Sequence, residues 1–262
     1  MPIDGSATSK TRAGAVVRAL LGGFLAAAST SALADFKVRS PNIDYREVEV
    51  ENNSSTTFDK RPASNNRNSL TQEIGVGILP FWTVELEGEF GREPLEKWQL
   101  NATTVENYFM LTEPGKYWLD FSIFAEYSRA KSLNDASTVK VGGLFQKDIY
   151  QFVNTFNVFL EKEVGPNAGT ADNLSFAWQT RYRFSQYFQP GIEIYGQIDD
   201  TNNAGKFGDR QLRIGPVVTG AVGLGDILGR GKLKYEVGYL FGVTSPTEQG
   251  TLRTKLELEI PF

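Results

Sequence analysis

The chain has no cysteine and no histidine among its 262 residues. Without cysteine there is no disulfide framework, no thiolate metal site and no sulfur nucleophile. Without histidine the commonest general base and the commonest metal ligand are missing. Ser-His-Asp hydrolysis, histidine-ligated zinc chemistry and imidazole-ligated haem are therefore excluded by counting. Basic residues are also in the minority, 27 Lys+Arg against 31 Asp+Glu for a net charge of -4. A nucleic-acid binder would show the opposite balance on one face. Nor does the chain contain a run of the roughly 20 apolar residues that a membrane-spanning helix needs. What it has in quantity is glycine (26), phenylalanine (18) and tyrosine (10), the composition of a β-rich chain.

The first 34 residues read as an address. Lys10, Arg12 and Arg18 precede a short apolar stretch, Ala19 to Ala28, and Ala32-Leu33-Ala34 follows as an A-x-A site. A charged start, a short apolar centre and small residues at the cut define a secretory leader. Cleavage after Ala34 is expected, with Ala32 and Ala34 at the processing site and 35–262 as the mature domain.

The mature chain alternates with period two. Val84-Glu85-Leu86-Glu87-Gly88-Glu89-Phe90 is strict, and Leu252 to Ile260 repeats the pattern. Successive strand side chains point to opposite faces, so each segment has one apolar and one polar face. About twelve such segments are expected, at 43–50, 69–79, 82–91, 99–111, 117–128, 138–147, 151–164, 174–185, 188–199, 210–222, 232–243 and 251–262. Strand 99–111 alternates poorly and 43–50 only in part, which leaves ten strands as the alternative. Pro216 falls inside a segment and cannot donate to a ladder, so a bulge is expected there.

The connections predicted between these strands alternate in length. Long polar tracts (51–68, 92–98, 130–137, 165–173, 200–209, 244–250) alternate with tight turns at 79–81, 113–116, 148–150 and 186–187. The turn at 223–231 is longer than its class. Long loops on one rim and short turns on the other are the pattern of bacterial outer-membrane barrels. The expected fold is all-β: a transmembrane, antiparallel, up-and-down barrel of about twelve strands without a plug domain.

The C-terminus carries a resemblance. Leu252, Leu256, Leu258, Ile260 and Phe262 share one parity, and Phe262 is the last residue. This resembles the C-terminal signal of Gram-negative outer-membrane β-barrels. It implies that Leu258, Ile260 and Phe262 are read by the barrel-assembly machinery, that lipids of the outer membrane surround the barrel, and that the protein is porin-like.

The polar parity supplies candidate lumen-lining residues: Glu85, Glu87, Glu89, Asp120, Glu126, Glu161, Arg181, Arg183, Glu193, Arg213, Lys234, Glu236, Lys255 and Glu257. Glu163, Arg253 and Glu259 belong to the same face. Acids dominate the first half and bases the second, which predicts a field across the lumen of the kind pores use to select ions. No cofactor, metal site or catalytic residue is expected. Glu85 and Glu87 share a face, but every alternating strand produces such pairs. The glycines of 220–231 lack the Gly-Lys-Ser/Thr of a phosphate loop, and Asp199 to Asn203 lacks calcium-loop spacing. The expected function is diffusion of a small-molecule solute through a narrow charged lumen. The alternative is a closed barrel that acts structurally or through its long loops.

Overall fold

The computed structural model describes residues 36–225 and 230–262. The predicted leader, with Ala32 and Ala34, lies outside them, as does part of the 223–231 turn.

Twelve antiparallel strands close into one barrel. They are β1 (Glu47–Phe58), β2 (Asn68–Leu79), β3 (Trp82–Arg92), β4 (Gln99–Met110), β5 (Asp120–Ala130) and β6 (Ser137–Ile149). The second half is β7 (Phe152–Val164), β8 (Asp172–Tyr182), β9 (Gln189–Ile198), β10 (Gln211–Gly223), β11 (Lys232–Gly242) and β12 (Gly250–Pro261). Each pairs with its sequence neighbours, and β1 closes on β12 from Glu47↔Pro261 to Phe58↔Gly250. Closure leaves no edge, so every ladder has a partner on both sides. Among the described residues no helix is long and apolar enough to cross a membrane.

Alternation places the two faces. On β12, Leu252, Leu256 and Leu258 point outward while Arg253, Lys255, Glu257 and Glu259 are buried within. Aromatic residues mark the rim where the sheet begins and ends. Phe81, Tyr117, Trp118, Tyr150, Tyr187 and Phe262 are all exposed there, as an interfacial girdle would be.

Several sequence expectations are corrected. β1 is not 43–50 but Glu47–Phe58. Its second half was read as loop because both faces are polar. Outward Ser54 bonds Thr254 at 2.8 Å and outward Thr56 bonds Asn68 at 2.8 Å. Residues 43–46 belong to the segment before the strand. Pro216 makes no bulge, since the register with β9 runs unbroken from Gln211 to Thr219. Pairing with β11 skips Gly215 and Pro216 but resumes in the same register at Val217↔Gly238. The irregularities lie instead between Gly77 and Leu79 and between Glu89 and Phe90. The connection after β4 spans 111–119 and that after β8 spans 183–188. Both are longer than the tight turns read at 113–116 and 186–187, so the two rims differ less than expected.

No folded plug domain stands inside the barrel among the described residues. Residues 36–46 occupy the lumen instead. Their contacts fall on β2 (Glu73), β4 (Glu106), β5 (Ser122), β7 (Asn157) and β9 (Tyr195). Only a position inside the wall reaches all of these. The segment descends to Arg46, whose left-handed backbone (φ 61) turns the chain up into β1. Arg46 is fixed there on two sides: its N–H donates to the Gly77 carbonyl at 3.1 Å, and its carbonyl accepts from the Phe262 N–H at 2.9 Å.

Candidate functional site: the charged lumen

The wall from β12 round to β5 is a belt of carboxylates. Cross-strand register sets Glu257 opposite Glu51, Glu51 opposite Glu73, and Glu73 opposite Glu87. Glu106 stands between Glu85 and Glu126 in the same way. Like charges directly opposite each other destabilise a sheet. The belt therefore needs cations, and the lumen segment brings two.

Lys37 Nζ lies 2.8 Å from Glu73, 3.3 Å from Glu51 and 3.8 Å from Glu85. Arg39 donates to Glu106 Oε1 at 2.6 Å and to Tyr108 Oη at 3.2 Å. Its guanidinium sits over Phe124 and Phe159, 5.0 and 5.7 Å from the ring centroids, within the ~6 Å at which a cation and a ring attract. Asn157 fixes the Arg39 backbone from both sides, accepting its N–H at 2.7 Å and donating to its carbonyl at 2.8 Å. Phe36 packs edge-on to Tyr195 and under Arg213.

Sequence reasoning missed Lys37 and Arg39, which lie ahead of the first predicted strand. Phe36-Lys37-Val38-Arg39 alternates apolar and basic like a strand, and the predicted acidic wall had no counter-charge of its own. Those two signals together pointed to the segment. The interior apolar group was missed too. Tyr108, Phe124, Leu144 and Phe159 cluster inside the barrel, with Ile43 packed on them; Phe124 and Phe159 share the parity of the predicted inward carboxylates, but only charged residues of that parity were named.

The remaining candidates fall into place as follows. Glu85, Glu87, Glu126, Glu193, Arg213, Lys255 and Glu257 are buried on the inner face. Glu89 accepts from Thr104 and Ser128 at 2.5 and 2.9 Å. Lys140, which was not among the candidates, bridges Glu126 and Glu161 at 2.9 and 3.4 Å. Asp120 accepts from the Gly115 N–H at 2.7 Å, so it caps a turn at the rim. Arg183 lies beyond the end of β8 and pairs with exposed Asp148 at 2.7 Å. It belongs to the rim and not to the lumen wall. Leu258 and Ile260 face outward, and Phe262 is exposed beyond β12.

The expected transverse field is not what the geometry shows. The bases of the second half are paired locally. Arg253 joins Glu193 and Glu236, Lys255 joins Glu51 and Glu257, and Lys234 joins Glu257 and Glu259. Arg213 pairs with Glu248 in the loop 243–249. Against the burial that raises it, that guanidinium holds the Glu248 carboxyl below its ordinary range.

Two sets of carboxylates come within 4.8 Å of one another: Asp44, Glu47, Glu49 and Glu259, and separately Glu73, Glu87 and Glu106. The first has Lys232 and Lys234 on Glu259, and the second has Lys37 on Glu73 and Arg39 on Glu106. Both could hold a divalent cation by ligand type, but both already carry amino or guanidinium counter-charge from the chain itself.

No family model matches the sequence, and no curated protein matches it either. Solved structures do match. A KdgM porin in complex with disordered oligogalacturonate superposes with a TM-score of 0.51 at 8% identity, over 82% of this chain and 99% of its own. The fold is that of the outer-membrane β-barrels. A bacterial polysaccharide outer membrane secretin matches at TM-score 0.42 and 8% identity, over 84% of this chain and 99% of its own. LpxR from Salmonella typhimurium matches at TM-score 0.42 and 7% identity, over 82% of this chain and 100% of its own. The likeness to the KdgM porin is one of fold, and the site of this barrel rests on its own residues.

Proposed function

We propose that the protein is an outer-membrane channel for small solutes, with its own N-terminal segment seated in the lumen at rest. One observation carries the reading. The centre of the barrel is filled by residues 36–46, which belong to no strand and are held mainly through ion pairs and the Asn157 clamp. A barrel of about eight strands is filled by its wall side chains alone, and diameter grows with strand number. Twelve strands leave a lumen that this chain fills with a removable element. Outward lipid, the barrel-assembly machinery at β12 and a small hydrophilic solute are the proposed partners. The leader over 1–34 provides export. The reading is non-enzymatic: lumen carboxylates serve as counter-ions, and the chain offers no histidine to act as base.

A second reading, a closed barrel acting through its loops, has an observation of its own. Loop 59–67 is lashed to loop 243–249, with Arg61 donating to the Thr247 carbonyl at 3.1 Å and Asp59 accepting from the Gln249 N–H at 3.2 Å. Planar-bilayer recording of refolded 35–262 separates the two. The channel reading expects small or infrequent steps from the wild type. It expects larger, cation-preferring steps from Lys37→Ala/Arg39→Ala, because removing those charges leaves the carboxylate belt unneutralised. Silence from both inserted barrels would overturn the channel and leave the loops as the working surface.

A further inference from the structure

The contacts around Arg39 have the form of a ligand site that the chain fills with its own residue. A carboxylate, Glu106, meets the guanidinium at 2.6 Å, and the Tyr108 hydroxyl, itself donating to Glu106 at 2.6 Å, accepts from Nε at 3.2 Å. Two rings, Phe124 and Phe159, set edge to face with centroids 5.2 Å apart, lie against it from one side. Asn157 pairs with the N–H and the carbonyl of the same residue, as one strand pairs with another. Each element reads a different part of an arginyl unit: charge, planarity and peptide backbone. A guanidinium suits such a place better than an ammonium, because it is planar, stacks on aromatic faces and is more weakly hydrated.

The packing supports the same reading. A lumen lined only for water and ions has no use for buried rings. Here Phe124 and Leu144 have no exposed surface and Phe159 is 6% exposed. The acidic belt adjoins the pocket: Glu106 is two residues from Tyr108 on β4, and Glu126 two from Phe124 on β5. Rings set beside carboxylates select a solute that is flat and cationic. The walls belong to β4, β5 and β7, and the occupant belongs to a segment outside the sheet. The site is therefore intact without its occupant.

We infer that the pocket formed by Glu106, Tyr108, Asn157, Phe124 and Phe159 is a binding site for guanidinium-bearing solutes of the arginyl-peptide class, for which Arg39 is the resident stand-in. This rests on the channel reading, since it names the solute class of that lumen. A solute entering the lumen competes with Arg39 for Glu106 and the rings, and its binding releases the segment.

Full-length mature Arg39→Ala vacates the pocket and leaves its walls. Its thermal midpoint should fall below that of the wild type and be restored, dose by dose, by N-acetyl-arginine amide. N-acetyl-citrulline amide, neutral and of the same shape, should act about tenfold more weakly or not at all, because it lacks the charge that Glu106 reads. Arg39→Ala/Glu106→Gln should lose the discrimination. In bilayers the arginine ligand should change the wild-type steps and the citrulline ligand should not. Equal effects of the two ligands, or none in either assay, would overturn the inference. Steps that ignore both ligands, with no rescue of Arg39→Ala, would sink the pocket and leave the channel standing. Rescue of Arg39→Ala by a barrel that never conducts would establish the pocket and sink the channel.

Discussion

At the scale of single residues, buried charge decides most. Arg253 has no exposed surface and lies between Glu193 and Glu236. Removing one member of such a group leaves the others charged and unpaired, at a cost of roughly 3–5 kcal/mol. Arg253→Met should lose stability of that order in urea unfolding of the detergent-solubilised barrel, and Arg253→Met/Glu193→Gln should recover part of it. Asp59 shows the surface counterpart. The side-chain hydrogen bond from Arg61 holds its carboxyl far below the ordinary range, and that same bond raises Arg61. A carboxylate whose folded pKa is depressed stabilises fully above its unfolded value of about 3.9, and loses that contribution only as pH falls through the folded one. Loop 59–67 should therefore stay docked at a pH where free carboxylates are already half protonated. Hydrogen exchange over 60–66 should remain slow at that pH in the wild type and become fast in Asp59→Asn at every pH.

At the scale of elements, the contact between the lumen segment and β2 depends on one missing side chain. A Cβ on Gly77 would run into the carbonyl of Asp44, with the Asp44 carbonyl carbon and Tyr45 Cα each 3.1 Å away. All three are backbone atoms, which cannot rotate aside. Gly77→Val should leave the twelve-strand barrel intact and lift the segment, exposing to trypsin Lys37 and Arg39, which are buried in the wild type and should resist cleavage there. Unchanged resistance would mean that the segment is not seated on Gly77. The same region marks where the sequence stopped being legible. Ten of the strands were readable because an apolar outer face and a charged inner one force strict alternation. β1 and β4 were harder for a stated reason. β1 keeps polar groups on both faces in its second half, while β4 points Tyr108 inward and Asn107 outward, where the Trp82 Nε1–H donates to it at 3.1 Å. The segment showed only the short alternation of Phe36 to Arg39, because its place is set by contacts with strands distant in the sequence, β4, β7 and β9 among them, which no local periodicity encodes. The inner carboxylates were legible one strand at a time. Their pairing into a belt depends on register, which no single strand encodes.

At the scale of the whole molecule, the lumen is a balance of charge in which two walls are neutralised by different means. The wall from β8 to β12 pairs its own bases and acids and lends Lys255 to Glu51 of β1, whereas Glu73 of β2 and Glu106 of β4 take their cations from a segment that is not part of the sheet. Selectivity should therefore be set by the few groups outside both arrangements. Arg181 is such a group. It lies on the inner side of β8, makes no ion pair within 4 Å among the described residues, and its Nε has no hydrogen-bond partner there. Arg183, two residues on, pairs with Asp148 at the exposed rim. Arg181→Glu reverses a lumen charge without breaking an ion pair, so it should move the reversal potential in a salt gradient toward cations. The shift should be largest in dilute salt and shrink near 1 M, where the screening length drops to about 3 Å. Arg183→Glu breaks a solvent-exposed pair at the rim and should leave the potential where it was. If both variants move it equally, the rim and not the inner wall governs passage, and the segment seated within the barrel is not what the solute meets first.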